Sequence, residues 1–255
     1  MRFGTFVFPV SQKPGNDHRI IHETLEEVQL CDKLGFDTAW LSEHHFDGAT
    51  AYVDPVVFAA SIASTTRKIR IGFAVVEMAL HHPVRLAAQT ALLDNLSNGR
   101  ILVGTGKGSA FNEYEYIGFG VPMEEAAESL QEAEDLILEA WKGKPVNFKG
   151  KYWDVAFPEL RPTPYQTPHP PLVRACLRED STREMARLHR PILIGAQDND
   201  SISKRINLYR QELESSQLSE EDIVSLLDKI WVSKNVFVAE TSSEALEIAQ
   251  KRLQM

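Results

Sequence analysis

Four side chains that can carry or orient protons follow one another at residues 42–45, which read Ser-Glu-His-His. They come directly after residues 36–41, an apolar run that predicts a buried β-strand. In α/β folds, ligands bind at the carboxyl ends of such strands. A histidine placed there can exchange protons near neutral pH without special tuning. Because successive strand side chains point to opposite faces, His44 and His45 cannot both face one ligand if the strand continues regularly.

A further segment has residue types that suit a phosphate group. Residues 104–108 read Gly-Thr-Gly-Lys-Gly, in which glycines allow close approach of the backbone and Lys107 supplies a positive charge. Neither a GxGxxG nor a Walker pattern is present, so this segment alone does not identify a nucleotide.

The sequence gives little support for a metal site. No HxH or HExxH spacing occurs, and the side chains of His44 and His45 are expected to diverge. We therefore predict no bound metal. A metal-dependent barrel hydrolase is the alternative from a different chemical class, and metal analysis of the purified protein would identify it.

A regular alternation of predicted strands and helices positions these residues. Apolar runs predict strands at residues 3–8, 36–41, 69–76, 101–104, 172–176, 192–194 and 232–239. Helical patterns cover residues 20–34, 55–66, 85–96, 123–141, 181–188, 202–230 and 242–253. Asp54 is the expected N-cap of the second helix, and the sixth region can divide into two helices near residues 217–219. A hairpin is expected around Gly150. Strict alternation favours a parallel sheet with right-handed crossovers. We predict an α/β fold, a TIM (β/α)8 barrel forming a single domain over residues 1–255, without its eighth strand–helix unit.

Length and composition exclude several classes of protein. A chain of 255 residues has the usual size of one such barrel. The net charge of -9 argues against nucleic acid as the main partner, because phosphate backbones need a basic surface. We find neither an apolar run of about 20 residues nor a signal-peptide pattern, and two cysteines make no disulfide framework. The expectation is a cytoplasmic protein without a membrane partner.

Several segments together resemble the bacterial luciferase-like, flavin-dependent monooxygenases. The similarity is strongest within residues 1–100, and the shared order of the segments makes it specific. The matching segments read MRFGTF, LGFDTAWLSEHHF, KIRIGFAVVEMALHHPVR, LLDNLSNGRILVGTGKG, YQTPHPPLVRA and VFVAETSSEALEIA. Members of this family have a TIM barrel that continues beyond the seventh helix, so the resemblance also implies that the C-terminal region is incomplete here.

The resemblance implies a role for particular residues. His44 corresponds to a histidine that transfers protons beside the flavin ring, and Ala74 and Val75 to a cis peptide bond next to that ring. Lys107 takes the position of a basic residue that contacts the FMN phosphate, and Gly106 that of a reactive cysteine in luciferase. His81 and His82 belong to the family's HPxR segment and are interpreted mainly as structure at the rim.

A second phosphate-binding stretch is implied at Arg178, Ser181 and Thr182. Two departures bear on FMN affinity. Glu179 and Asp180 replace small residues beside this stretch, and the start of the helix at Met123 is acidic where relatives often carry a basic residue. Weak FMN binding would suit an enzyme that receives reduced flavin from a separate protein.

The function implied is monooxygenation of a small organic substrate, with aldehydes among the candidates. The reaction uses reduced FMN (FMNH2) and molecular oxygen. The implied partners are a flavin reductase and a second subunit, in a homodimer or heterodimer, with residues 54–66 and 83–96 as the expected contact surfaces. One alternative is hydride transfer with the deazaflavin F420. Another is a non-catalytic relative that binds FMN without oxygenating a substrate.

Overall fold

The computed structural model describes residues 1–108 and 113–253. The strands are β1 (Gly4–Val7), β2 (Thr38–Leu41), β3 (Arg70–Phe73), β4 (Val76–Glu77), β5 (Ile101–Gly106), β6 (Val146–Lys149), β7 (Asp154–Phe157), β8 (Leu172–Ala175), β9 (Ile192–Ile194) and β10 (Trp231–Val232). The helices are α1 (Asp17–Leu34), α2 (Pro55–Thr65), α3 (Pro83–Ser97), α4 (Glu113–Phe119), α5 (Ala126–Trp141), α6 (Glu179–Arg187), α7 (Asn199–Glu214), α8 (Glu220–Asp228) and α9 (Ser242–Leu253).

One parallel sheet organises the molecule. Its strands are hydrogen-bonded in the order β1-β2-β3-β5-β8-β9-β10, and β4 continues the line of β3 beside β5. The register places Leu41 opposite both Val7 and Phe73. The short strands β6 and β7 form a separate antiparallel hairpin around Gly150, as predicted. The fold is a TIM-barrel-type sheet with helices, in the form of an incomplete barrel, which confirms the predicted fold class.

The two faces of the sheet are packed differently. On the outer face, side chains such as Leu41, Ile71 and Ile101 pack against the helices in the largest apolar cluster. On the inner face, Trp40 forms a smaller cluster whose buried members include Leu102, Val173 and Leu193. The Trp40 ring occupies the space that a side chain at position 72 would need. A Cβ atom on Gly72 would lie 2.4 Å from it.

The ends of several helices follow their sequence signals. Asp54 caps α2 by accepting a hydrogen bond from the Val57 amide at 2.9 Å, as predicted. Gly35 ends α1 with a positive φ of 82°, a conformation that glycine adopts at little cost. Within the described part of the chain, no helix combines the length and apolarity that crossing a bilayer requires.

Three elements differ from their predictions. The strand expected at residues 69–76 is divided into β3 and β4 at Ala74 and Val75. The strand expected at residues 232–239 is reduced to Trp231–Val232, which pairs only with β9 among the described strands. The Ser233 amide still donates to the carbonyl oxygen of Ile194, where β9 ends, at 2.9 Å, and Val236 and Val238 beyond it are exposed. Helix α4 was not predicted, because seven residues give too short a pattern.

Candidate active site

The carboxyl ends of four neighbouring strands bring the predicted site residues to one edge of the sheet. His44 follows β2, and Ala74–Val75 follows β3 directly. Gly106 ends β5 and is followed by Lys107, while Arg178 lies three residues beyond β8. Strands β2, β3, β5 and β8 are successive parallel neighbours in the sheet. The predicted residues therefore share the edge at which ligands bind in this class of fold.

His44 and His45 point to different surroundings as expected, although β2 ends at Leu41, so regular strand alternation is not the cause. The His44 side chain is 33% exposed, and its ring meets the ring of Phe8 edge-on with centroids 5.1 Å apart. The His45 side chain is only 9% exposed, and its Nε2 atom lies 2.9 Å from Oε1 of Glu43. His44 is therefore the more accessible imidazole of the pair.

Glu43 is a buried carboxylate surrounded by hydrogen-bond donors. His45 and His81 each place Nε2 2.9 Å from its Oε1 atom, and the Glu77 amide donates to its Oε2 atom at 2.7 Å. Burial acts to raise the pKa of Glu43, but these hydrogen bonds and the charge of His81 outweigh it and lower the pKa. Burial likewise acts to lower the pKa of His81, and the bond to Glu43 outweighs it and raises the pKa. Both shifts favour the charged forms, a carboxylate on Glu43 and an imidazolium on His81.

The sequence interpretation of this region needs two additions. The structure shows Glu43 hydrogen-bonded to two histidines, His45 and His81. The sequence interpretation placed His81 with the structural residues of the rim. His81 instead contacts Glu43, because the turn before α3 folds back over the end of β2.

Two further buried acids, Glu77 and Glu115, were missed by the sequence reasoning. Glu115 is fully buried, and its Oε1 atom accepts a hydrogen bond from the His45 amide at 2.6 Å. The same oxygen lies 3.8 Å from Nδ1 of His44. For Glu77, a signal existed in the sequence, since it is a single acid within the apolar run AVVEMAL. For Glu115, no such signal was available, because α4 itself was not predicted.

The peptide bond between Ala74 and Val75 is cis, as the resemblance implied. Both residues are half-buried and pack at the end of the inner-face cluster of the sheet. Gly106 lies directly beside them, and a Cβ atom at this position would be 2.6 Å from Cγ2 of Val75. Val75 therefore packs directly against the backbone of Gly106 and leaves no room for a side chain there. Their contact with a flavin stays a prediction.

The residues predicted to bind phosphate differ in accessibility. Lys107 and Arg178 are exposed, and Ser181 is half-buried. The hydroxyl groups of Ser181 and Thr182 each donate to the carbonyl oxygen of Arg178 at 2.9 Å. Thr182 is fully buried, so its placement argues against the direct phosphate contact predicted for it. Lys107, Arg178 and Ser181 keep their predicted roles, which no contact in the structure tests.

Four exposed aromatic side chains, here called the aromatic rim, lie beside His44 and His45. They are Phe6, Phe8, Phe46 and Phe119. Phe6 stacks on Phe8, whose ring contacts His44, and Phe46 lies 5.7 Å from Phe119 between ring centroids. The backbone of Phe46 has a positive φ of 59°, which is uncommon for a residue with a side chain. The rim gives the site an apolar border beside a titratable imidazole.

This arrangement fits a flat, largely apolar ring system that carries a phosphate. Ala74 and Val75, packed against the backbone of Gly106, provide a small apolar platform at the end of the strands. Lys107 and Arg178 supply positive charge at the same edge. His44 can exchange a proton with a ligand on this platform.

Comparison with known proteins agrees with the geometry. A family model described as luciferase-like monooxygenase matches residues 1–255. Limonene 1,2-monooxygenase of Rhodococcus erythropolis is 33% identical over 163 residues, which is 64% of this chain and 42% of that protein. The oxygenase component of the flavin-dependent trigonelline monooxygenase of Acinetobacter baylyi is 27% identical over 256 residues, which is 97% of this chain and 69% of that protein.

The chain spans about half the length of several of these curated relatives, since matches to two Sinorhizobium fredii proteins cover 53% and 46% of their length. Among solved structures, monooxygenase RslO1 from Streptomyces bottropensis superposes with a TM-score of 0.87 at 27% identity, covering 100% of this chain and 77% of that one. The oxygenating constituent of 3,6-diketocamphane monooxygenase from Pseudomonas putida, solved with FMN, has a TM-score of 0.82 at 20% identity and covers 98% of this chain and 72% of its own. At that identity, the second likeness speaks for the fold alone.

Proposed function

Because the chain belongs to the luciferase-like monooxygenase family, we propose that it is the oxygenating part of a flavin-dependent monooxygenase. It uses reduced FMN and molecular oxygen to oxygenate a small, apolar organic substrate, with aldehydes among the candidates. One observation carries the proposal. The accessible imidazole of His44 stands at the same sheet edge as the apolar platform of Ala74 and Val75 and the cation of Lys107.

The residues at this edge divide the work of binding FMN. Ala74, Val75 and Gly106 would support the ring, while Lys107 and Arg178 would hold the phosphate. When bound, reduced FMN supplies the electrons that activate oxygen. The acidic first turn of α6, with Glu179 and Asp180, opposes a phosphate there, so we propose weak and exchangeable binding.

His44 acts as the proton-transferring group of the proposed reaction. Its ring is accessible from the ligand side, and Phe8 packs edge-on against it and restricts its rotation. Glu43, its neighbour in the chain, is anchored by His81 and by the Glu77 amide. The aromatic rim excludes water from this side and favours an uncharged, apolar substrate.

The proposal includes a partner that delivers reduced flavin. The trigonelline relative is described as an oxygenase component, which implies a second component for that protein. We propose that this chain likewise receives reduced FMN from a separate flavin reductase. A homodimer or heterodimer through α2 and α3 is also part of the proposal.

Oxygen incorporation is the direct test. The purified chain is supplied with FMN, a flavin reductase and NADH under ¹⁸O₂, with limonene and a long-chain aldehyde as probes. One ¹⁸O atom in the product, detected by mass spectrometry, supports monooxygenation. Oxygen consumption without labelled product would favour the non-catalytic alternative. Oxidation of reduced F420 without any response to FMN would contradict the proposed cofactor.

His44→Ala gives the first specific prediction. We expect turnover to fall by roughly 10²–10⁴, the usual contribution of a general acid or base, while the dissociation constant of FMN stays unchanged. The ring is not part of the apolar core, so the melting temperature should also be retained. His18→Ala is the matched control, because His18 is an exposed histidine on α1. Wild-type turnover in His44→Ala would remove His44 from the reaction.

A further inference from the structure

Behind His44 lie two carboxyl groups that the proposed function does not use. Glu115 is fully buried although its neighbours Glu113 and Tyr114 on α4 are exposed. Its Oε1 atom accepts the His45 amide at 2.6 Å and lies 3.8 Å from Nδ1 of His44. Its Oε2 atom has no hydrogen-bond partner within the described residues. The carboxyl group is therefore held by the backbone of one histidine and aimed at the ring of the other.

Glu77 brings a second carboxyl group to the same place from β4. It is almost fully buried, and its Oε2 atom also lacks a hydrogen-bond partner in the part of the chain that the structure describes. One side-chain nitrogen or oxygen atom from each of His44, Glu77 and Glu115 lies within 4.8 Å of the other two. Two carboxylates so close in a buried site repel each other strongly, which favours a single proton between them.

The surrounding charges determine which group keeps this proton. The titratable groups around the cluster are Glu43, His45, Asp47, Asp54, His81 and Tyr116. His81 is hydrogen-bonded to Glu43, so it does not offset the charge of Glu77. Burial, then Glu115, then Glu43 raise the pKa of Glu77 to about 9. Burial and the two acids raise the pKa of Tyr116 to about 12, so its hydroxyl stays neutral.

We propose that Glu115 is a positioning residue for His44. Glu77 supports this role by sharing one proton with Glu115. In this arrangement the pair carries one negative charge, which faces Nδ1 of His44. A proton on Nδ1 is then held toward Glu115, and Nε2 is the atom that exchanges a proton with the ligand. No proton leaves the pair when His44 gains or loses one. This role rests on the proposed function, but its charge balance exists in the chain without flavin or substrate.

The test follows the tautomer of the neutral His44 ring by ¹⁵N NMR in the flavin-free chain, so it does not depend on turnover. In Glu115→Gln, the anion beside Nδ1 is replaced by a neutral amide of the same shape. We expect the tautomer with its proton on Nδ1 to predominate in the wild type and to lose that predominance in Glu115→Gln. Glu115→Asp keeps the charge and should restore part of it. Glu113→Gln is the matched control, since it removes an exposed charge from the same helix.

An unchanged tautomer ratio of His44 in folded Glu115→Gln would overturn the proposal. Infrared spectroscopy of the wild-type chain gives a second measurement that does not need this variant to fold. We expect the carbonyl stretch of a protonated carboxyl group at neutral pH, lost toward about pH 9 and missing in Glu77→Gln. A wild-type spectrum without this band, or stoichiometric metal in the purified chain, would contradict a shared proton. A chain that passes these tests without flavin can still fail to oxygenate a probe when FMN and a flavin reductase are supplied. That outcome would refute only the proposed function.

Discussion

At the scale of single residues, the site is dominated by acids that are removed from water. Glu43, Glu77 and Glu115 are all buried within reach of three histidines. Burial of an acid is unfavourable unless it is paired or protonated. Glu43 is paired with His81, whereas Glu77 forms no ion pair among the described residues and keeps its proton at neutral pH. The pKa of Glu43 is therefore lowered and that of Glu77 is raised.

Glu77 makes the stability of the protein depend on pH. Its pKa is raised from 4.5 to about 9, so the folded chain retains a proton that the unfolded chain releases within this window. Its contribution to stability is fully present below about pH 4.5 and is lost as the pH rises to about 9. We expect the free energy of unfolding to fall by up to about 1.4 kcal/mol per pH unit from this group.

Denaturation of the wild type and Glu77→Gln across this window measures the effect. The variant should lose less stability toward high pH, because glutamine has no proton to release. Titrating groups away from the pair of Glu77 and Glu115 are common to both proteins and cancel in the difference. Parallel stability curves for the two proteins would show that Glu77 is ionised throughout.

At the scale of elements, a single acid connects the end of α1 to the start of β3. Asp32 accepts backbone hydrogen bonds from Arg67, Lys68 and Ile69 at 3.0, 2.8 and 2.6 Å. Burial acts to raise the pKa of Asp32, but these three donors outweigh it and lower the pKa. This clamp fixes where β3 begins, and thereby where Ala74 and Val75 emerge at the site.

Asp32→Asn should destabilise the protein by about 1–3 kcal/mol, because amide donors lose a charged acceptor. The loss should be present above the ordinary aspartate pKa of 3.8 and should vanish as the pH falls through the lower folded value. Urea denaturation at neutral and acidic pH measures both. Glu26→Gln, an exposed change on the same helix, should stay within about 0.5 kcal/mol. An equal loss at all pH values would exclude a charge effect.

At the scale of the whole molecule, apolar side chains remain exposed on α3. Leu92 and Leu96 are 49% and 56% exposed and lie one helical turn apart. Val57 on α2, a helix that packs against α3, is exposed as well. An apolar surface of this kind suits contact with a second subunit. It coincides with the dimer surface predicted from the resemblance.

The double variant Leu92→Glu/Leu96→Glu should therefore be monomeric, since it places charge in the contact. Light scattering coupled to size-exclusion chromatography measures the molar mass. The matched control is Leu30→Glu/Leu34→Glu on α1, with the same spacing and exposures of 53% and 66%. A monomeric wild type, or dissociation by the control but not by the α3 variant, would contradict this surface.

The sequence by itself determined the order of the elements and the sheet edge at which His44, Lys107 and Arg178 lie. Both follow from local information, because apolar runs and caps define strands and helices, and parallel strands share one carboxyl edge. It also predicted that His44 and His45 diverge, but they do so beyond the end of β2, where strand alternation no longer applies.

Only the tertiary structure decided which acids stand behind His44. Glu115 contacts the His45 amide across 70 positions of the chain, and His81 contacts Glu43 across 38. Such pairs depend on how α4 and the turn before α3 pack over the strands, and no periodic pattern encodes that packing. The length of β10 likewise depended on the tertiary structure. This strand pairs with β9 alone among the described strands, and it ends at Val232 although apolar residues follow.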